Sequence, residues 1–173
     1  MNPRTQFIVR TALFLALSIL FPIAFHQFGL GGRIFLPMHI PVLLAGAIVG
    51  PAAGFLTGLL APSLSFMLTG MPPSYAVPLM TCELVLYGII MGYFYRKLKL
   101  NIYVALILAL IAGRIGFAAG LFLLGLVIEL PYGVKEYFTG AVLAGLPGIA
   151  IQIVFIPPLV LSIVRRMKRR PLP

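Results

Sequence analysis

Between Phe7 and Val164 the chain is a succession of apolar stretches, broken only by short segments rich in glycine, proline or charge. A bilayer's hydrocarbon core is roughly 30 Å thick and takes about 20 apolar residues of helix to cross. The pattern predicts helical spans over residues 7–25, 38–49, 52–68, 75–95, 102–127 and 138–164. The first ends in the glycine-rich loop His26 to Arg33. The second, Met38 to Val49, is only about a dozen residues long, and helices that short in a membrane are expected to be sheltered by others. Pro37 and Pro41 suit its first turn. Gly50-Pro51 predicts a tight turn into the third span, which Pro62 interrupts. The segment Thr69-Gly70-Met71-Pro72-Pro73-Ser74 predicts the return from the opposite side. Asn101 is predicted to N-cap the fifth helix, and residues 129–136 form the last loop before the sixth.

Charge then orients the stack. Basic residues gather at Arg4 and Arg10, at Arg96, Lys97 and Lys99, and at Arg165, Arg166, Lys168, Arg169 and Arg170. Under the positive-inside rule these three clusters share the cytoplasm, so both termini are expected inside. Only Arg33 and Lys135 fall in loops of the other side. The terminal basic run reads as a topology anchor, with binding of acidic lipid headgroups as the alternative. A sequence pI near 10.4 would suggest a nucleic-acid partner in a soluble chain. With 61% hydrophobic and 9% charged residues the charge instead encodes orientation, and no nucleic-acid partner is expected. The expected fold class is an all-α membrane protein of six transmembrane helices, with residues 1–173 forming one integral membrane domain in a lipid bilayer.

The polar inventory excludes most chemistry. There is no aspartate and no tryptophan, and the only acids are Glu83, Glu129 and Glu136. Paired-aspartate proteolysis or metal-assisted phosphoryl transfer cannot be assembled from so few carboxylates. His26 and His39 are too few for a metal site. Ser63 and Ser65 lack a nucleophile elbow, and no phosphate-binding glycine loop is present. Neither an enzyme nor a cofactor is expected. The single cysteine, Cys82, cannot form an intramolecular disulfide.

Three polar side chains fall deep within spans: Glu83 on the fourth, Arg114 on the fifth and Gln152 on the sixth. A charge at the bilayer centre costs at least about 2.5–3.5 kcal/mol, so Glu83 and Arg114 must face protein, water or ligand. Counted from the outer span ends they lie about eight and about thirteen residues deep, within reach of a long arginine. A structural Glu83–Arg114 bridge and direct ligand contact are both open, and the two are compatible. Gln152 reads either as an interhelical hydrogen bond or as a ligand contact. His39, at the start of the second helix, reads either as a helix-terminus residue or as a ligand contact. Tyr87 falls where a cavity would be; Tyr75 and Tyr132 suit the interfacial belt. Small residues recur every four positions at Ala12/Ala16, Gly46/Gly50, Gly54/Gly58, Gly88/Gly92 and Gly116/Gly120, which lets helix backbones approach. Ala12 and Ala16 differ from the rest because a partner subunit could dock on that half of the first helix.

The run Phe35-Leu36-Pro37-Met38-His39-Ile40-Pro41-Val42-Leu43-Leu44-Ala45-Gly46, continuing as Gly50-Pro51-Ala52-Ala53-Gly54, resembles the substrate-binding S components of energy-coupling factor (ECF) vitamin transporters. The Thr69-Gly70-Met71-Pro72-Pro73 loop and Gly113-Arg114 are similar to one subgroup of them. The resemblance implies a bacterial plasma-membrane protein that binds a vitamin or precursor between its outer loops and its fourth to sixth helices. It also implies a transmembrane coupling subunit, contacted through Ala12 and Ala16, and two ATPase subunits that supply energy. Glu83, Arg114, Gln152, His39 and Tyr87 are then the candidate substrate contacts. Arg114 favours a carboxylate or phosphate, as in pantothenate or folate-like vitamins, on condition that Glu83 does not neutralise it. Cobalamin, queuosine precursors and thiamine precursors remain open. A self-sufficient secondary transporter or channel and a structural membrane protein or assembly factor are the competing readings.

Overall fold

The computed structural model describes residues 2–27, 32–127 and 134–169, and every element among them is helical. The order is α1 (Pro3–Gln27), α2 (Gly32–Phe35), α3 (His39–Ile48), α4 (Pro51–Thr69), α5 (Ala76–Gly92), α6 (Ile102–Gly125) and α7 (Val134–Arg169). A π-helical turn, Tyr93–Lys97, extends α5. Glu129, Tyr132 and Arg170 lie outside the described residues.

Five helices are long and apolar enough to cross a membrane: α1, α4, α5 with its π turn, α6 and α7. The expectation of six full spans needs correction at the second. α3 has 10 residues, which at 1.5 Å per residue is about 15 Å, half the hydrocarbon thickness. It is nonetheless buried along nearly its whole length, as its brevity implied. Helices α1 and α7 run beyond the expected limits at both ends. The last turns of α7, carrying the exposed Arg165 and Arg166, overshoot any hydrocarbon layer. The four-residue α2 sits where only loop was expected.

Local signals in the sequence explain the joints. Gly50 adopts φ 137°, closed to most side chains, and Pro51 opens α4 at its first turn. The Asn101 side chain accepts a hydrogen bond from the Tyr103 amide at 2.9 Å, the expected N-cap of α6.

Helix α5 is the hub, packing against α3, α4 and α6. Its closeness to α4 rests on glycines from both helices. A Cβ on Gly54 would stand 2.6 Å from the Gly88 Cα, and one on Gly92 would stand 2.6 Å from the Pro51 Cα. One on Gly58 would meet the Leu84 carbonyl carbon at 2.6 Å. The recurrent small residues of α4 and α5 are thus a backbone-to-backbone seam. Gly116 and Gly120 of α6 receive side chains of α5 instead, Leu86 and Cys82. Ala12 and Ala16 are both exposed on α1, beside the exposed Leu13 and Leu20.

Candidate substrate-binding site

Glu83, on the buried face of α5, is 3% exposed. Its Oε1 accepts a hydrogen bond from the Tyr87 hydroxyl at 3.0 Å, one helical turn along the same helix. The same oxygen lies 3.2 Å from Arg114 Nη1, reaching across from α6. The other oxygen, Oε2, faces His39 Nε2 at 3.5 Å, close enough for attraction when the imidazole is protonated but not bonded to it. His39 is 1% exposed and presents its ring edgewise to Tyr87, with centroids 5.4 Å apart. Its backbone amide, not its side chain, closes the turn before α3 by donating to the Leu36 carbonyl. Three helices therefore converge on one carboxylate.

Glycines hold the space open. A Cβ on Gly113 would collide with the Tyr87 ring, so the residue before Arg114 has to be small for that ring to lie against Glu83. Gly145 of α7 does the same for the guanidinium: a Cβ there would stand 2.8 Å from Arg114 Nη2. Gly145 was invisible to sequence reasoning, because nothing in Ala144-Gly145-Leu146-Pro147 indicates which helix it faces.

Above this cluster lies a cavity of about 710 Å³, within the range of small-molecule sites. Glu83, Arg114 and His39 line its polar end; Met38, Met71, Met80 and Phe117 make up much of the rest. Its walls come from the C-terminal ends of α1 and α4 and the starts of α3, α5 and α7. The basic clusters stand at the start of α1, the end of α5 and the end of α7, so cavity and clusters occupy opposite ends of the bundle.

The loop after α4 is tied down over the cavity. Gly70 terminates α4 in the left-handed conformation at φ 72°. Ser65 Oγ then donates to the Met71 carbonyl at 2.9 Å, and the Met71 amide donates to Thr69 Oγ1 at 3.2 Å. Among the lining residues that sequence reasoning missed are Phe117, Glu136 and Tyr137. Phe117 and Tyr137 stack at 6.4 Å between centroids, and Tyr75 meets Tyr137 edge-on at 6.2 Å. Glu136 and Tyr137 had been assigned to loop or span edge; α7 begins early enough to carry both inward. The spacing of Arg114 and Phe117, one turn apart on α6, was the available signal.

Two candidates do not reach the cavity wall. Tyr87 is wholly buried behind Glu83. Gln152 is also wholly buried, and neither its Nε2 nor its Oε1 has a hydrogen-bond partner among the described residues. The expected interhelical hydrogen bond of Gln152 is therefore not formed. Arg114 pairs with Glu83, so the condition under which it would favour a carboxylate or phosphate is not met. Its Nε and Nη2 have no hydrogen-bond partner among the described residues, and its side chain is 15% exposed. Among the described residues no group of three or more His, Cys, Asp or Glu comes together to hold a metal.

Residues 6–160 match the family model for the ECF transporter, substrate-specific component. The chain belongs to that family. It is a substrate-binding subunit of an ECF transporter, which is a multi-pass membrane protein and not an enzyme, and it serves a small-molecule substrate together with an ECF module. No curated protein and no solved structure gives a significant match.

Proposed function

We propose that this S component captures a vitamin or related micronutrient from outside the cell in the cavity above Glu83. A transmembrane coupling subunit and two ATPase subunits then drive its release into the cytoplasm. The observation that carries the reading is the placement of one small-molecule-sized cavity, with a buried charged floor, at the end of the bundle away from every basic cluster. By the positive-inside rule the basic clusters favour the cytoplasm for both termini, which turns the cavity outward. The reading treats the chain as one integral membrane domain of a bacterial plasma membrane. Arg114, His39 and Glu83 are its direct substrate contacts. Tyr87 positions Glu83, and Gln152, buried on α7, is a further substrate contact of the reading.

Ala12 and Ala16 are the proposed seat of the coupling subunit, supported by an exposed small-residue face on the helix that the rest of the chain covers least. Dependence on partner ATPases agrees with the lack of a nucleotide motif in the sequence. The test is reconstitution in liposomes with the chain alone or with a coupling subunit and ATPases. Accumulation of substrate only with the partners and ATP supports the reading. Accumulation against a gradient by the chain alone would establish the competing secondary transporter.

A further inference from the structure

The charge of the cavity bears on what it can hold, given that it is the substrate site proposed above. Ten of the 13 basic residues belong to the three sequence clusters, whose described members stand at the other end of the bundle. The remaining three, Arg33, Arg114 and Lys135, are equalled in number by the three acids, Glu83, Glu129 and Glu136. The formal net charge of +10 therefore belongs to the clusters, and the rest of the chain is balanced. The cavity repeats this balance at short range. Among its described lining residues the anions are Glu83 and Glu136, and the cations are Arg114 and, when protonated, His39. In neither protonation state of His39 is this described lining positive.

The one permanent cation is also engaged. Arg114 Nη1 lies 3.2 Å from Glu83 Oε1, and Glu83 is 3% exposed, so the pair is partly desolvated and internally neutral. An incoming carboxylate or phosphate would have two ways to bind. It could stand beside the pair and accept from Arg114 Nε and Nη2, which have no hydrogen-bond partner among the described residues. There it would meet a floor without net charge and repulsion from Glu136 at the wall, which a neutral carbonyl accepting from the same donors would not. Or it could take Arg114 from Glu83, leaving a buried carboxylate with only Tyr87 and His39 beside it and a second anion next to it. The first route offers an anion no more than a neutral acceptor and adds the repulsion from Glu136; the second is penalised because a buried charge that loses its partner is strongly unfavourable. The other lining residues, among them Met38, Met80, Phe117 and Tyr137, suit an apolar or aromatic body. We infer that the cavity selects a molecule uncharged or cationic at neutral pH and discriminates against anionic micronutrients.

The test uses the intact chain in mild detergent. The small molecule it retains is released by heat and identified by mass spectrometry. Binding is then measured for matched pairs differing in a carboxylate: nicotinamide and nicotinate, pantothenol and pantothenate, biotinamide and biotin, with thiamine as a cation. The retained molecule should be neutral or cationic, and within any pair that binds, the uncharged member should have a Kd at least tenfold lower. Glu136→Gln, at an exposed position, should narrow that ratio severalfold; Glu83→Gln, which frees Arg114, should narrow or reverse it. A retained carboxylate or phosphate, or a tighter Kd for the anionic member, would overturn the inference while leaving the substrate-binding reading intact. A chain that retains nothing and binds none of the probes would overturn both.

Discussion

Helices α1 and α5 invert the rule that governs soluble proteins. The apolar stretch of α1 has the higher mean hydropathy, 2.2 against 1.6, yet 17% of it is buried inside the chain against 39% for α5. In water the more apolar helix would go inside. In a bilayer the lipid is as apolar as any leucine, so exposing Ile8, Val9, Leu13 and Leu20 on α1 loses nothing. What must be sheltered is what lipid cannot satisfy: the Glu83 carboxylate, the Tyr87 hydroxyl, and the bare backbone at Gly88 and Gly92. The contrast separates two roles as well. On the proposed function, α5 is a wall of the substrate cavity, while α1 keeps an exposed face for the coupling subunit.

The sharpest way to break this contrast is to unbalance the interior of α5. Arg114→Met leaves Glu83 buried with Tyr87 and His39 but without its permanent cation, a loss of the kind that costs about 3–5 kcal/mol. A large fall in the thermal unfolding temperature is expected, together with loss of substrate binding. The double variant Glu83→Gln/Arg114→Met should recover most of the stability and none of the native binding. Tight substrate binding by the double variant would make the pair purely structural.

The α4–α5 seam offers the next largest effect. Gly88→Ala places a methyl group against the Gly54 backbone, and rigid backbone on both sides leaves it nowhere to go. Overpacking of this kind costs about 1–3 kcal/mol, so a clear fall in thermal stability is expected. The comparable change at Gly140 on α7, where a Cβ would meet open space, should leave stability much closer to the parent. Equal effects at the two sites would mean that α4 and α5 are not in backbone contact.

How much of this was legible beforehand follows the same physics. Hydropathy predicts where chain meets lipid, so the long helices, the Gly50-Pro51 turn and the Asn101 cap could be read from residues 7–164 directly. The shortness of Met38–Val49 predicted shelter, and α3 is sheltered, but its ten helical residues do not cross. The depth of Glu83 and Arg114 showed that they could meet. That His39 and Tyr87 would join them depended on the rotation of α3 and α5 about their axes, which helices with little amphipathic bias do not encode. Glu136 and Tyr137 were misplaced for another reason: α7 starts four residues earlier than its apolar run. Gly145 needed the fold itself, since an interior glycine looks the same whether it faces lipid or a guanidinium.

Gln152 sharpens the comparison from the other side, as a polar group buried without a partner among the described residues. If it were an ordinary interhelical hydrogen bond, Gln152→Leu would destabilise the chain. With both polar atoms unpaired, replacing them by an apolar side chain of similar size removes a desolvation penalty and should stabilise by about 1 kcal/mol. Unfolding temperature and substrate affinity should be measured together. Raised stability with weakened binding assigns the unpaired amide to the substrate-bound state; lowered stability would show that it has a partner after all.

The smallest expected effect on stability is the most diagnostic for α1. Ala12 and Ala16 are exposed, so Ala12→Leu/Ala16→Leu should change stability by no more than about 0.5 kcal/mol. Substrate affinity should be unchanged too, since the cavity reaches α1 only at Pro22 and Ile23, near its other end. If the small-residue face exists to let another helix approach closely, two added isobutyl groups would hold that helix away. Copurification with the coupling subunit should then fall sharply while the chain itself remains folded and able to bind. Loss of stability in the double variant would place this face against the bundle, erasing the difference between α1 and α5. Undiminished copurification would leave the face to lipid alone and move the docking site elsewhere.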